Sequence, residues 1–185
     1  MKKNVCVLVA DGSEEMEVVI TVDVLRRAGI SVFLAGVGEE TRMVTTSRGV
    51  RIAPDGAWDP AEATRFDALV IPGGIGGTQA MRQDDSVKQA VREFVQAGKI
   101  VAAICAGPTV LHDAGVLAGK TYTSNPSSRE ELTAGTWVDR PVGRDGQLVT
   151  SQAPGTAFAF GLTLIEALDS RDMALKVAAG LRVAW

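Results

Sequence analysis

The sequence predicts an α/β protein with a mainly parallel sheet and helices on both faces, and three observations support this prediction. Short apolar runs alternate with stretches of helical periodicity along the chain. Several of the apolar runs are rich in Val, Ile and Leu, which is typical of strands covered on both faces. Glycines at Gly29 and Gly98 follow helical stretches directly, a common helix stop. Strand–helix–strand alternation in turn indicates a parallel sheet.

The individual elements follow from the same periodicities. The predicted strands are Val5–Ala10, Ser31–Ala35, Ala68–Ile71, Ile100–Ile104, Lys120–Thr123 and Gln147–Ser151. The predicted helices are Glu14–Ala28, Asp85–Ala97, Pro108–Ala114, Phe158–Leu168 and Arg171–Leu181. A hairpin is predicted over Thr45–Ala53 with its turn at Arg48-Gly49, and a second turn at Asp145-Gly146. We expect one flavodoxin-like three-layer sandwich over residues 1–185.

Composition excludes several classes of partner. The chain has 185 residues, a formal net charge of −3 and 5% aromatic residues, without a Lys/Arg cluster, so specific nucleic-acid binding is not expected. No apolar run approaches the ~20 residues of a membrane span, so no membrane partner is expected. The apolar run Val5–Ala10 near the amino terminus is too short for a signal peptide. We therefore predict a cytoplasmic, reducing location.

The two cysteines lie far apart and neither belongs to a CxxC pair, which argues against a zinc site or a dithiol motif. Cys6 lies in the middle of the first strand and is interpreted as a small core residue. Cys105 lies where IVAAICAGPTVL passes from a strand into a helix. Since a helix N-terminus favours an anion, we expect the thiol pKa of Cys105 to lie below the free value of ~8.5.

In a parallel sheet, the loops that follow the strands gather at one edge. Three loops are therefore candidates for one site: Asp11–Glu17, Pro72–Gly77 and Cys105–Pro108. The second, PGGIGG, lacks the GxxxxGK[ST] and GxGxxG phosphate patterns. Its glycines would instead allow backbone N–H groups to come close to a reacting carbonyl and stabilise an oxyanion.

A nucleophilic cysteine usually needs a base, and the only histidine cannot supply it. His112 lies seven residues after Cys105 on the same predicted helix, about 10 Å along its axis at ~1.5 Å per residue. A Cys–His dyad is thus excluded, and His112 is expected near a helix C-terminus.

Three acids crowd the start of the first helix: Glu14, Glu15 and Glu17. At least one is expected to complement the helix dipole, and Asp11 with Glu14 has capping-box spacing. Glu17 is flanked by apolar residues and is interpreted as pointing inward. Burial would raise its pKa, so that a protonated Glu17 could hydrogen-bond to Cys105 and shuttle a proton. Dipole complementation alone stays an open alternative for Glu17.

Four motifs together carry a family resemblance: GSEEMEVV, VIPGG, AICAGPTVL and TSQAPGTAFAF. In this combination and order the chain resembles the ThiJ/PfpI superfamily, most closely its DJ-one-like deglycase branch with bacterial relatives. The resemblance implies a homodimer with Cys105 as reactive cysteine and Glu17 as its acid partner, without metal or other cofactor. It further implies Gly73, Gly74 and Ala106 as backbone donors, and Arg48, Asn125 and Pro154 as substrate-binding residues.

Three positions bear on the activity that this resemblance implies. Asn125 stands where the deglycase has His, and Gln152 stands where it has Arg. Ala106 follows the cysteine where the proteases of the superfamily have His, which argues against peptidase or amidotransferase chemistry.

The implied activity is glutathione-independent conversion of methylglyoxal-like 2-oxoaldehydes, or of glycated amino groups, to 2-hydroxy acids. An oxidative-stress role, as a redox sensor or chaperone-like protein with an oxidisable cysteine, is the alternative. Flavin or nucleotide binding rests on analogy of fold alone.

Overall fold

A seven-stranded sheet forms the centre of the computed structural model, which describes residues 3–38 and 43–185. The sheet strands are β1 (Asn4–Val9), β2 (Ser31–Gly36), β5 (Gly56–Ala57), β6 (Ala68–Ile71), β7 (Ile100–Ile104), β10 (Val142–Asp145) and β11 (Leu148–Ser151). Their order is β10-β11-β7-β6-β1-β2-β5, and only β10 runs antiparallel to its neighbour. Two small ladders lie outside this sheet: β3 (Val44–Thr45) with β4 (Arg51–Ile52), and β8 (Thr121–Tyr122) with β9 (Thr136–Trp137).

Helices cover both faces of the sheet, so the predicted three-layer α/β architecture is confirmed. They are α1 (Glu15–Arg27), α2 (Ile75–Gln83), α3 (Asp85–Gln96), α4 (Pro108–Asp113), α5 (Ala157–Leu168) and α6 (Arg171–Leu181). The side chains of β1 alternate between two buried cores: Val5 and Val7 pack with α1, α5 and α6, while Cys6 and Leu8 pack with α3 and α4. Burial of an aliphatic side chain contributes about 1.5–3 kcal/mol, so strands facing two cores are apolar on both sides.

Most predicted elements are present, but one predicted strand lies outside the main sheet, and three strands, β5, β9 and β10, were not predicted. Lys120–Thr123 contains β8, which pairs with β9 instead of joining the main sheet. The buried Tyr122 hydroxyl donates to the carbonyl of Leu132 at 3.0 Å and ties this ladder to its own loop. Short strands β5 and β10 carry too little apolar pattern to predict, although the turn at Asp145-Gly146 that follows β10 was predicted.

Helix α2 is the main correction to the predicted elements. The expected loop Pro72–Gly77 ends at Gly74, and Gly76 and Gly77 belong to the helix. A Cβ at Gly77 would lie 2.8 Å from Cα of Ser13. Glycine has a low helix propensity, but here it lets α2 approach the loop after β1, and this tertiary contact outweighs propensity.

The N-terminus of α1 does not have the capping box expected from Asp11 and Glu14. Glu14 accepts the N–H of Glu17 at 2.8 Å and is the N-cap of α1. The carboxylate of Asp11 instead accepts the N–H of Thr45 at 2.7 Å and fastens the predicted hairpin to the loop after β1. Asp11 thus positions the hairpin beside the site described below.

Within residues 3–38 and 43–185, no helix has the length and apolar character needed to cross a membrane.

Candidate active site

The three predicted loops meet at one edge of the sheet. They follow β1, β6 and β7, which are neighbours in the sheet and run parallel. Their carboxyl ends therefore lie side by side, where parallel α/β sheets bind ligands.

Cys105 occupies a sharp turn between β7 and α4. Its φ is 62°, in the left-handed region that non-glycine residues seldom adopt, at a cost of about 1–3 kcal/mol. Two backbone hydrogen bonds hold the turn: the N–H of Cys105 donates to Ser151 at 2.9 Å, and its carbonyl accepts from Asn125 at 2.9 Å. The neighbouring Gly107 is as tightly placed, since a Cβ there would lie 2.5 Å from the carbonyl oxygen of Ile71. The turn leaves the thiol half-buried at the sheet edge.

Glu17 lies directly behind this thiol and is fully buried. Its Oε2 accepts the N–H of Gly73 at 2.7 Å, while Oε1 has no hydrogen-bond partner of ordinary geometry. A Cβ at Gly73 would lie 2.6 Å from both Cβ of Cys105 and Oε2 of Glu17. Glycine is therefore required at position 73 for the thiol and the carboxyl to approach each other.

Burial dominates the electrostatics of this pair. It raises the pKa of Glu17 to about 7, with a further contribution from the charge of Glu14, against hydrogen bonds from Gly73 and the Cys105 thiol. Burial also raises the pKa of Cys105, and the adjacent Glu17 carboxylate raises it further. The expectation of a lowered thiol pKa at the helix start is therefore wrong in direction, because α4 does not outweigh burial beside a carboxylate. The pair favours holding a single negative charge.

Backbone donors surround the sulfur. The N–H groups of Ala106 and Gly74 hydrogen-bond to Cys105 and act to lower its pKa, opposing burial. Both are in the positions that the sequence predicted. The N–H of Gly73, predicted as a third donor, is engaged by Glu17 instead. Two backbone donors, not the three predicted, thus hydrogen-bond to the sulfur.

Asn125 contacts the sulfur from the cleft side. Its Nδ2 donates to Sγ of Cys105 at 3.7 Å, while its Oδ1 accepts from the N–H of Ser127 at 3.0 Å and from the Ser127 hydroxyl at 2.8 Å. Ser127 was missed by the sequence reasoning, although Asn125-Pro126-Ser127 is typical of an Asx turn. The Asn125 amide is thus a neutral donor, oriented by Ser127, at the position where the deglycase branch that the sequence resembles has His.

An open cleft of about 580 Å³ lies in front of Cys105. Its wall contains every predicted substrate-binding residue and both backbone donors: Arg48, Asn125, Pro154, Gly74 and Ala106. Glu17 and Gly73 are buried behind this wall. The structure therefore brings the predicted residues together, while their catalytic and binding roles stay predictions.

Arg48 is placed by Glu15, a second residue whose role the sequence reasoning missed. The N–H of Arg48 donates to both carboxylate oxygens of Glu15, at 3.0 and 3.2 Å, and the Ser47 hydroxyl donates to the same carboxylate at 2.9 Å. Burial would raise the pKa of Glu15, but hydrogen bonds from its own backbone N–H, from the Ser47 and Thr46 side chains and from the Arg48 N–H outweigh burial and lower the pKa. Glu15 thus anchors the hairpin tip at the cleft.

The remaining candidates lie away from the thiol. The ring of His112 contacts Asp113 and the Thr133 hydroxyl at the end of α4, as expected. Nε2 of Gln152 donates to Asp139 at 2.8 Å. Cys6 is fully buried, and burial raises its pKa to about 12, which suits a core residue. In the described part of the chain, no group of three or more His, Cys, Asp or Glu could hold a metal ion.

The fold and this site define a flavodoxin-like α/β protein with a cysteine on a strand-to-helix elbow, paired with a buried carboxyl. The chain belongs to the DJ-1/PfpI family, whose model matches residues 3–167.

Similar proteins span the full length of the chain. It is 44% identical to protein dj-1beta of Drosophila melanogaster over 100% of both chains, and the crystal structure of that protein superposes with a TM-score of 0.95. The Parkinson disease protein 7 homolog of Danio rerio is 40% identical over 97% of this chain and 96% of its own. The glutathione-independent glyoxalase DJR-1.2 of Caenorhabditis elegans is 35% identical over 92% of this chain and 91% of its own.

Proposed function

We propose that this protein is a cysteine-dependent enzyme of glyoxalase or deglycase type, acting on methylglyoxal-like 2-oxoaldehydes or their adducts with amino groups. The observation that carries the proposal is the pairing of the Cys105 thiol with a buried Glu17 carboxyl of pKa about 7. A group with a pKa near the working pH is suited to both accepting and donating a proton. A relative named as a glutathione-independent glyoxalase supports the same reaction class.

The first step forms a bond between Sγ of Cys105 and the aldehyde carbon. Glu17 as carboxylate accepts the thiol proton while the sulfur attacks, and the carbonyl oxygen receives the electron pair. In this proposal the N–H groups of Gly74 and Ala106, which hydrogen-bond to Cys105, stabilise the oxyanion. Glu17 returns the proton to the oxygen, giving a hemithioacetal.

The second step moves a proton between adjacent carbons. The Glu17 carboxylate removes the proton from the carbon bound to sulfur and returns it to the neighbouring carbon of the resulting enediolate. The hydroxyl proton on the carbon bound to sulfur passes to the oxygen of the neighbouring carbon, so that the first carbon becomes a carbonyl and the second bears the hydroxyl. The product is a thioester of a 2-hydroxy acid, reached without an external oxidant because one carbon is oxidised while its neighbour is reduced. Water then cleaves the thioester to the 2-hydroxy acid, lactate in the case of methylglyoxal, and restores the thiol.

Only the pair carrying one proton can perform the attack, because the sulfur needs a base and the carboxyl must be free to act as one. We expect kcat/KM to rise with pH through a limb near 7, the pKa of Glu17. A pH profile without this limb would contradict the role of Glu17.

The direct test is lactate formation from methylglyoxal by the pure protein without glutathione. Cys105→Ser and Glu17→Gln should each lower kcat by at least about a hundredfold, since each removes a reacting group. Cys6→Ala is the matched control and should retain activity, because Cys6 is buried in the core away from the cleft. Turnover that survives the loss of Cys105 would overturn the proposal.

A second candidate function is redox sensing or chaperone-like protection, favoured by the half-buried, cleft-facing position of the same thiol. Oxidation would convert it stepwise to sulfenic and sulfinic acid. A two-oxygen mass gain at Cys105 with peroxide, in a protein without lactate production, would favour this function. A reducing compartment such as the cytoplasm, which we propose as the location, would keep the thiol free for either role.

We also propose that the protein acts as a homodimer. Support comes from exposed apolar side chains on α1 and near the hairpin that carries Arg48: Met16, Val19, Met43 and Val50. Exposed apolar clusters of this kind commonly mark an interface. Covering it with a second copy would bring that copy close to the cleft wall.

A further inference from the structure

A small cavity of about 150 Å³ lies between the β5 edge of the main sheet and the short 3₁₀ helix Pro60–Arg65 that follows β5. Residues of β1, β2 and β5 form its inner wall. Its described lining residues include none of those that line the active-site cleft. The cavity is therefore separate from the site of the proposed reaction.

Three aromatic side chains line this space, which we term the aromatic cavity. The rings of Phe33 and Phe66 stack with their centroids 6.0 Å apart and an angle of 26° between their planes. A Cβ at Gly56 would lie 2.9 Å from the ring of Phe33, so glycine at that position lets β5 pack against the ring. The third side chain, Trp58, donates its indole N–H to the Ser86 hydroxyl at 2.9 Å. The aromatic walls are thus held in place by contacts with their neighbours.

The polar groups of this cavity are poorly suited to holding water. Cys6 lies at the floor and is fully buried, and a thiol is only a weak hydrogen-bond donor. The indole N–H of Trp58 is already engaged by Ser86. A trapped water molecule needs about two to four polar partners, whereas apolar cavities of roughly this volume stay dry and hold a ring the size of benzene. The lining therefore suits an apolar ring better than water.

Arg65 covers the cavity on the solvent side. Its guanidinium lies 4.9 Å from the ring centroid of Phe66 and 5.4 Å from that of Phe33, and it pairs with Glu62 at 2.8 Å. The side chains of Arg65 and Glu62 are 51% and 55% exposed, so solvent screens this ion pair and the pair contributes little to holding Arg65 in place. Arg65 is therefore the part of the lining that moves aside most easily when a ligand enters.

We propose that the aromatic cavity binds a small uncharged molecule with one aromatic ring. Such a ring would meet the aromatic walls in offset or edge-to-face geometry, and Arg65 would lie over it as it lies over the two phenylalanines. A charged ligand is disfavoured, because an unpaired charge against apolar walls loses its hydration without compensation. The inference does not depend on the proposed function, because the cavity and the cleft have separate linings.

Titration followed by fluorine NMR tests the inference with two probes that share one ring, fluorobenzene and 4-fluorobenzoate. Fluorobenzene should bind saturably at one site per chain, and 4-fluorobenzoate should bind at least about tenfold more weakly because of its charge. Absence of saturable fluorobenzene binding, or equal affinity for the two probes, would overturn the inference.

Ala57→Leu locates the bound ring. Ala57 lines the cavity from an exposed position in β5, so a larger side chain there occupies the cavity without entering the sheet core. We expect the affinity for fluorobenzene to fall at least about tenfold, since the ring and the leucine compete for the same space. Ala97→Leu is the matched control, because Ala97 is also exposed but lies outside the cavity, and it should keep the parent affinity. An unchanged affinity in Ala57→Leu would contradict binding in this cavity.

Protection of the Cys6 thiol gives a second readout that leaves the cavity unaltered. In Cys105→Ser, Cys6 is the remaining cysteine, and its labelling by methyl methanethiosulfonate, which is small and uncharged, is followed by mass spectrometry. Saturating fluorobenzene should slow this labelling at least about fivefold, because an occupied cavity excludes the reagent, and the same concentration of 4-fluorobenzoate should leave the rate unchanged. Labelling at the same rate with and without fluorobenzene would place the ring elsewhere and overturn the inference.

Discussion

Three neighbouring carboxyl groups illustrate how residue roles diverge at the finest scale. Glu14 caps α1, Glu15 holds the tip of the hairpin, and Glu17 is buried beside the thiol. In the sequence all three are acids in one helical turn, so the dipole interaction applied equally to each. Their roles differ because each carboxylate meets a different segment. Glu14 accepts from the first turn of α1, Glu15 from the hairpin and Glu17 from the loop after β6.

The buried carboxyl at position 17 predicts a pH-dependent stability. The pKa of Glu17 is about 7 in the folded protein against an ordinary value of 4.5, so the unfolded chain releases the proton first as pH rises. Glu17 therefore costs little below pH 4.5, and its destabilising effect grows up to about pH 7. Glu17→Gln should be more stable than the parent by about 3 kcal/mol at pH 8 and equal to it near pH 4.

Thermal unfolding of parent and variant across this pH range measures the effect. Glu166→Gln, which replaces a more exposed carboxyl on α5, should show no comparable crossover. A stability difference that does not change between pH 4 and pH 8 would contradict the raised pKa.

Gly73 predicts a steric effect on activity. In Gly73→Ala the new methyl group would meet both Cys105 and Glu17 at 2.6 Å, which forces the pair apart. We expect loss of at least about a hundredfold in kcat/KM, and destabilisation of ~1–3 kcal/mol from overpacking. Gly180→Ala in α6, where a Cβ meets nothing within 4 Å, is the control and should keep full activity. Normal turnover by Gly73→Ala would show that close approach of thiol and carboxyl is unnecessary.

At the scale of elements, the site depends on which strands are neighbours. Because β1, β6 and β7 are adjacent, the segment after each contributes one part of the site: the first turn of α1 the carboxyl, the loop after β6 the glycines, and the turn after β7 the thiol. The segment after β8 adds Asn125, which lies outside the main sheet and is positioned by its own turn. The strand order is a result of global packing, so periodicity alone indicated only that the loops share an edge.

Ser127 is therefore predicted to be a positioning residue for Asn125. Ser127→Ala removes the 2.8 Å hydroxyl contact and loosens the amide, and we expect kcat to fall about three- to tenfold with little change in melting temperature. Ser127→Thr, which keeps a hydroxyl, should restore kcat, and Ser128→Ala is the neighbouring control. An unchanged kcat in Ser127→Ala would show that the Ser127 hydroxyl is not needed to position Asn125. The hydrogen bond from the Ser127 backbone N–H would then be sufficient.

At the scale of the whole molecule, the exposed apolar residues on α1 bear on assembly. Met16 and Val19 are each about half exposed, next to the hairpin that borders the cleft. Light scattering should give a dimer mass for the parent and a monomer mass for Val19→Glu, since a charge in an apolar interface is costly. Leu175→Glu on α6 is the control, as Leu175 is similarly exposed on another helix. A monomeric parent would refute the homodimer proposal.

The sequence by itself determined the layered α/β architecture, the positions of all the α-helices except α2, and the exclusion of a Cys–His pair. These follow from local periodicity and from spacing along one helix, which need no knowledge of distant contacts. It also placed Cys105, Gly74, Ala106 and Asn125 at one site, through motif order and family resemblance.

Only the tertiary structure decided what depends on packing between distant segments. The direction of the Cys105 pKa, the engagement of Gly73 by Glu17, and the helical state of Gly76 and Gly77 all belong to this group. Desolvation and close backbone approach have no signature in neighbouring residues, because they arise from atoms many positions away in the chain. The thiol at the elbow was therefore predictable, whereas its electrostatic balance with Glu17 was not.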